Sequence, residues 1–388
     1  MAVKILSVDD EMDLELLLTQ YFRRKIRKGE YEFVFAHNGL EALTMMLRHP
    51  DIEIVLSDIN MPEMDGLTLL ARINEMRNPA LRVIMVSAYG DMGNIRQAMN
   101  NGAFDFATKP IDLDDLSVTI EKAIKQIEYI RQTQREHAQL EDLKGDLAVA
   151  GEIQQAILPR VFPPFPENID VMDLAALMTP AKDVGGDFYD FFRIDPEHIG
   201  VVMADVSGKG IPAAIFMAVS RTLIRAIGTQ DLTPEECINK ANELLCMESA
   251  NNMFVTVFYG IYNVKTGELR YCNGGHNAPC IIHSDGRTEL MKVEPNFIVG
   301  ALGGMTYKGE KTTLEKGETL LLYTDGVTEA VNPSMEEYGE QRMIDTLSTQ
   351  TAHTCRETID GLLQDVRDFA GEAEQSDDIT ILALKRLG

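Results

Sequence analysis

Three acids sit where short apolar runs give way to polar sequence. Asp9 and Asp10 close the run Lys4–Val8, and Asp58 closes Ile52–Ser57. If those runs are neighbouring parallel strands, all three carboxylates reach one edge of a sheet. Clustered carboxylates repel one another, and a hard cation such as Mg²⁺ relieves that repulsion. Ser87 ends the run Val83–Ser87, and Lys109, just before Pro110, ends Phe104–Thr108. Acids, a hydroxyl and an ammonium in one pocket suit a carboxylate nucleophile that accepts a phosphoryl group. Mg²⁺ and Lys109 would neutralise the phosphoryl oxygens. Strand-end acids also cap helices, which explains Asp9 or Asp10 singly but not five suitable residues at strand ends.

A second set of acids lies in VGGDFYD at 184–190, MADVSGKG at 203–210, YTDGVTEA at 323–330 and SDDIT at 376–380. The run Gly200–Ala204 leads into Asp205 and Thr319–Tyr323 into Asp325, while Asp377 and Asp378 precede a final strand. A sheet would converge Asp187, Asp205, Asp325 and Asp377 from distant parts of the chain. No well-placed His or Cys accompanies them, and an all-oxygen set favours Mg²⁺ or Mn²⁺ over Zn²⁺. Two such ions about 4 Å apart can bridge a water, lower its pKa and clamp a phosphoryl oxygen. A DG or GG dipeptide alone means a turn; four motifs in fixed order are a stronger signal. No arginine stands out to grip phosphate. Lys182 and Lys209 near the motifs read as solvated, and His276 reads as a turn histidine before a proton donor.

The elements follow from spacing. Over residues 1–112, apolar runs, including Phe33–Ala36, alternate with helical patterns at Leu14–Phe22 and Gly39–Leu47. This predicts βαβ units and a five-stranded, doubly wound parallel sheet, with ligands at the C-terminal strand ends. Residues 112–158 contain no proline and two glycines, Gly145 and Gly151. Leu116, Ile120, Ala123, Ile127 and Ile130 recur at steps of four and three, and Leu140, Leu143, Leu147 and Ala150 restart the pattern. That spacing predicts a long helix with a coiled-coil seam and a homodimer through it. The ten-residue step from Ile130 to Leu140 is a heptad plus three, which overwinds a coil locally. The helix should end near Pro159, before the stiff stretch VFPPFP at 161–166. Residues 167–388 read as mixed α and β, with strand-like runs at Phe254–Tyr262 and Ile379–Leu384 and helices over Ala213–Ile227 and Pro234–Leu245.

Both sets of motifs resemble known families. LSVDDE at 6–11, LSDINMPEMDG at 56–66, VSA at 86–88 and FDFATKP at 104–110 resemble the response-regulator receiver domains, over about residues 1–125. The resemblance implies a flavodoxin-like fold and phosphorylation of Asp58 by a cognate histidine kinase. It implies Asp10, Asp58 and the Asn60 carbonyl as Mg²⁺ ligands, with Asp9 assisting through water. Ser87 would hold the phosphoryl group and Phe106 would be a rotating aromatic switch. The later motifs, with GEIQQAILP at 151–159 and NGGHNAP at 273–279, resemble the SpoIIE-like branch of the PPM metal-dependent Ser/Thr phosphatases, over about 150–388. That resemblance implies a β-sandwich flanked by helices, with two Mn²⁺ or Mg²⁺ ions at one end. Asp205 and the Val206 carbonyl would lie between the ions, and Asp325 and Asp377 would each hold one. Asp187 would be an accessory ligand, and Asp377 is favoured over Asp378. The substrate it implies is a phosphorylated STAS-domain anti-sigma-factor antagonist. The expected domains are a receiver at 1–125, a helical linker at 112–158 and a phosphatase at 159–388.

Composition bounds these readings. The 388 residues carry 36 Lys and Arg against 61 Asp and Glu, net −25. Of that excess, 35 acids and 19 bases fall in 159–388, a field that repels nucleic acid. No apolar run approaches membrane-spanning length, and the N-terminal residues read as a strand, so a cytoplasmic protein is expected. Five cysteines without a C-x-x-C pair read as reduced thiols. Two other outputs compete with the phosphatase. A scaffold that sequesters a partner would have lost metal acids, and none is lost. A diguanylate cyclase would need two consecutive acids before Phe, whereas Phe188 follows one.

Overall fold

The computed structural model describes residues 2–88, 91–162, 164–248, 253–349 and 354–388. The chain falls into two compact units, Met1–Asp142 and Leu143–Gly388.

In the first unit, β1 (Val3–Val8), β2 (Tyr31–Ala36), β3 (Ile52–Asp58), β4 (Arg82–Ala88) and β5 (Asp105–Lys109) form a parallel sheet ordered β2-β1-β3-β4-β5. Both faces of a parallel sheet are covered, so its strands read as unbroken apolar runs. Ile5, Leu6, Ile54, Val55, Ile84 and Met85 are all fully enclosed. The connections are α1 (Asp13–Tyr21), α2 (Arg23–Arg27), α3 (Gly39–Arg48), α4 (Gly66–Glu75) and α5 (Met92–Asn100). Asn38 and Asp65 start α3 and α4 by accepting the Glu41 and Thr68 amides at 2.8 and 2.7 Å, the role short polar side chains fill at helix starts.

The helix α6 (Leu113–Ile157) follows β5. Its seam residues Leu116, Ile120, Ala123 and Ile127 lie in the first unit's own core with Ile5, Leu18 and Ile84. Burying each Leu or Ile side chain there contributes roughly 1.5–3 kcal/mol. The first half of the heptad pattern is therefore spent within the unit. From Gln132 to Ala150 the helix is largely solvent-facing: Leu140 and Leu143 are about half exposed.

The second unit is a sandwich. Its elements are β6 (Met172–Thr179), β7 (Phe188–Arg193), β8 (His198–Val206), α7 (Ile211–Gly228), α8 (Pro234–Glu248), β9 (Val255–Asn263) and β10 (Glu268–Gly274), then β11 (Cys280–Ile282), β12 (Thr288–Leu290), β13 (Glu310–Thr313), β14 (Thr319–Tyr323), α9 (Asp325–Thr328), α10 (Gly339–Thr349), α11 (Cys355–Ala370) and β15 (Ile379–Arg386). Two antiparallel sheets, β13-β10-β9-β8-β7 and β12-β11-β14-β15-β6, face each other across Val201, Met203, Phe258, Leu320 and Leu382. α7 and α8 cover the outer face of the first sheet. α10 and α11 cover the second, meeting Tyr323, Ile381 and Ala383 through Leu347, Ile359 and Leu362. Thr354 opens α11 with a reciprocal capping box to Glu357. By length and apolarity alone, α7 would pass for a membrane span, against the expectation from the sequence. Its apolar face is instead laid on the sheet, with Ala213, Phe216, Met217 and Ile224 buried.

Register sets up the site. Phe188 pairs with Ala204 and Tyr323 with Ile381. The residues just beyond these pairs, Asp187 with Asp205 and Asp325 with Asp377 and Asp378, gather at one end of the sandwich.

Candidate functional sites

At the C-terminal edge of the parallel sheet, Asp9, Asp10 and Asp58 each offer a carboxylate oxygen within 4.8 Å of the others. Asp9 and Asp58 are buried and Asp10 is exposed. The Lys109 Nζ lies 2.7 Å from Asp58 Oδ2, 2.9 Å from Asp9 Oδ2 and 3.2 Å from Glu11. Burial raises the Asp9 carboxyl, opposed by the Glu11 amide it accepts and by Lys109. Burial also works against the Lys109 charge, but Asp58 and Asp9 outweigh it and hold the ammonium more firmly protonated than usual. The Asn60 amide donates to Asp58 Oδ1 at 3.4 Å. Ser87 is fully buried one strand away, and its hydroxyl has no partner among the described residues. A buried hydroxyl left unpaired is costly, and a phosphoryl oxygen on Asp58 would satisfy it. Phe106 is 38% exposed on β5. The structure thus groups Asp9, Asp10, Asp58 and Lys109, sets Ser87 one strand away, and leaves Phe106 partly exposed. Three carboxylates against one lysine fit a hard divalent cation.

In the second unit, Asp187 lies in the turn ahead of β7, fully buried. Its Oδ2 accepts the Thr324 hydroxyl at 2.6 Å and the Thr380 hydroxyl at 2.8 Å. Its carboxyl and that of Asp205 act on each other electrostatically. Burial, then the Asp205 charge, pushes Asp187 well above the usual carboxylate range. Asp205, on β8, is pushed up to about 7 by burial and by Asp325. Asp325, at the start of α9, is raised by burial and by Asp377. Asp205 feels Asp187, Asp325 and Asp377, and Asp325 feels Asp377, so the four acids lie near one another. They are set wider than the first group: no three described carboxylates here share a 4.8 Å approach. The Val206 carbonyl faces the turn, 2.9 Å from where a Cβ on Gly186 would stand.

The Asp377–Asp378 pair divides. Asp378 is buried, and its oxygens accept the amides of Ala181, Gly186 and Asp187 at 2.8, 2.7 and 3.4 Å. It is committed to holding the Gly-Gly turn. Asp377 stays partly open and is approached by Lys209 Nζ at 2.9 Å. Lys209 also donates to the Ser376 carbonyl, while Lys182 is exposed. His276 is buried, its Nδ1 2.9 Å from the Thr256 hydroxyl and its Nε2 3.1 Å from the Tyr323 carbonyl. A carbonyl only accepts, so Nε2 carries the proton and the Thr256 hydroxyl donates to Nδ1. Burial lowers its pKa to about 4, and both nitrogens are engaged in structure. An uncompensated all-oxygen acid cluster suits hard divalent cations. Sequence reasoning missed Thr324 and Thr380. Both stand inside the quoted motifs, beside the acids, and the available signal was that each hydroxyl flanks a motif acid.

The family model Response regulator receiver domain matches residues 5–121, and that of Stage II sporulation protein E (SpoIIE) matches 195–387. The turn bearing Asp187 lies upstream of the second match. Protein IcfG of Synechocystis is 30% identical over 269 residues, covering 62% of this chain and 41% of its own length. Phosphoserine phosphatase RsbU of Bacillus subtilis is 29% identical over 249 residues, covering 63% of this chain and 71% of its own. The chain therefore spans only part of either relative. The solved SiaA-PP2C domain of Pseudomonas aeruginosa superposes with a TM-score of 0.55 at 22% identity, over 64% of this chain and 98% of that one. At that identity it speaks to the fold.

Proposed function

The chain belongs to the response-regulator receiver family over its first unit and to the SpoIIE family of PPM-type phosphatase domains over its second, and from that premise we propose that phosphorylation of Asp58 governs a metal-dependent protein Ser/Thr phosphatase. The observation that carries this reading is the convergence of Asp187, Asp205, Asp325 and Asp377 on one end of the sandwich. A scaffold without catalysis would be free to lose one of these acids, and all four stand.

In the first unit, the Asp58 carboxylate attacks the phosphorus of a kinase phosphohistidine. The P–N bond breaks, the imidazole leaves with its electron pair, and an acyl phosphate remains. Lys109 balances its charge and Ser87 donates to one of its oxygens. Asp9, Asp10, Asp58 and the Asn60 carbonyl would hold Mg²⁺. In the second unit, Asp205, the Val206 carbonyl, Asp325 and Asp377 would hold two Mn²⁺ or Mg²⁺ ions, with Asp187 accessory. Such ions supply an acidified water and positive charge for the phosphoryl oxygens. The chain's own work is orientation. Thr324 and Thr380 aim Asp187, Asp378 locks the turn, and Lys209 ties down the segment at 376–377.

We infer the substrate to be a phosphoserine or phosphothreonine on a STAS-domain anti-sigma-factor antagonist. We further infer a cytoplasmic protein that pairs with a second copy through α6. Hydrolysis of an aryl phosphate will require Mn²⁺ or Mg²⁺, and Asp325→Asn will reduce it to background while Asp58 still takes up phosphate. Normal metal-dependent turnover by Asp325→Asn would remove that residue from the site.

A further inference from the structure

We propose that Gln154, on the last turns of α6, is a positioning residue for the metal-binding turn of the phosphatase. The inference rests on the reading that the acids of the second unit hold cations, and it assigns the helix a role beyond pairing.

Gln154 is 5% exposed, although it lies in a helix that is otherwise largely solvent-facing. Its Oε1 accepts the Gly185 amide at 2.9 Å, and its Nε2 donates to the Gly185 carbonyl at 2.6 Å. One side-chain amide thus satisfies both polar groups of one backbone residue, as a neighbouring strand would. The orientation of the amide is fixed, since the Gly185 carbonyl can only accept. One turn earlier the helix touches the same segment by backbone. A Cβ on Gly151 would stand 2.3 Å from the Asp183 carbonyl oxygen. Gly151 and Gln154 share a helix face, Leu158 continues it one residue past the end of α6, and all three are buried.

On its other side the turn meets Asp378. A Cβ on Gly185 would stand 2.4 Å from Asp378 Oδ2, which already accepts the Gly186 amide. Gly185 is therefore held between Gln154 and Asp378, with no room for a side chain. Asp187 is two residues on and takes its place against Asp205 from that anchor. Groups that orient a metal ligand without touching the metal commonly alter affinity by about 10–100-fold when removed. The Gln154 clamp is such a group, delivered by the helix.

The test uses the full chain. Binding of Mn²⁺ is read from the electron paramagnetic resonance signal of the free ion, and hydrolysis of an aryl phosphate is read separately. Gln154→Met keeps the side-chain length and removes both hydrogen bonds; Gln154→Glu keeps the acceptor and removes the donor. Leu158→Ala loosens the same helix face but leaves the clamp. We expect the dissociation constant for Mn²⁺ to rise about tenfold in Gln154→Met and in Gln154→Glu, with the rate recovered at excess Mn²⁺. Leu158→Ala should melt at lower temperature and bind Mn²⁺ as the parent does. Unchanged affinity in both Gln154 variants overturns the proposal, and so does an equal loss in Leu158→Ala. If either Gln154 variant folds poorly, the other decides. A parent chain that binds no Mn²⁺ at the second unit sinks the reading of the acids, and this inference with it.

Discussion

Asp378 and Asp377 are neighbours of identical chemistry, yet their surroundings differ. Three backbone amides occupy Asp378, while Asp377 meets Lys209 at the open edge. Sequence could name the pair but not divide it, because which carboxyl turns inward depends on the Gly185–Gly186 turn arriving from almost two hundred residues away. Charged residues were legible because their type declares the chemistry. Thr324, Thr380 and Gln154 were not, since an uncharged side chain becomes part of a site only through what it touches. His276 makes the same point with a measurable consequence. Its folded pKa of about 4 lies below the ordinary 6.5. As pH falls below 6.5 the unfolded chain takes up a proton that the folded chain refuses. The stability is present above 6.5 and is lost as pH drops toward 4, amounting to about 3 kcal/mol for this residue. Urea midpoints for the parent should therefore fall more steeply over that window than those for His276→Gln. Parallel slopes would show that His276 is not held neutral.

The parallel sheet was legible as apolar runs of strand length; in the second unit such runs marked β8, β9, β14 and β15, and the sandwich was implied by the family resemblance. Boundaries moved by a residue or two; Asp205, for instance, is still paired within β8, opposite Thr256. The long helix shows where periodicity misleads. A four-three spacing predicts an apolar stripe without saying what covers it, and from Leu116 to Ile127 the cover is the unit's own sheet. The stretch from Ile130 to Ala150 is the part of the pattern that the unit's own core does not cover. The step of ten between Ile130 and Leu140 falls within that stretch. Four residues inserted after Gln134 would make it fourteen, two whole heptads, and would rotate and lengthen the helix beyond. We expect such a chain to hydrolyse aryl phosphate as the parent does while losing its response to Asp58 modification. A response that survives the insertion would mean that α6 does not carry the signal.

At the scale of the whole molecule, two acid clusters differ in how their charge is balanced. In the first, a lysine lies on the acceptor carboxylate and a buried hydroxyl waits unpaired, an arrangement for taking a phosphoryl group and keeping it. In the second, Lys209 touches only the outermost acid and the buried carboxyls are pushed toward protonation, an arrangement completed by cations and suited to releasing phosphate. The central claim is that the state of the first cluster governs the second. The most direct measurement is Mn²⁺-dependent hydrolysis of an aryl phosphate with and without beryllofluoride, which stands in for the phosphoryl group on Asp58. The account predicts a severalfold change in rate that Asp58→Asn abolishes. An equal rate in the two states, in a chain whose Asp58 is shown to be occupied, would contradict it.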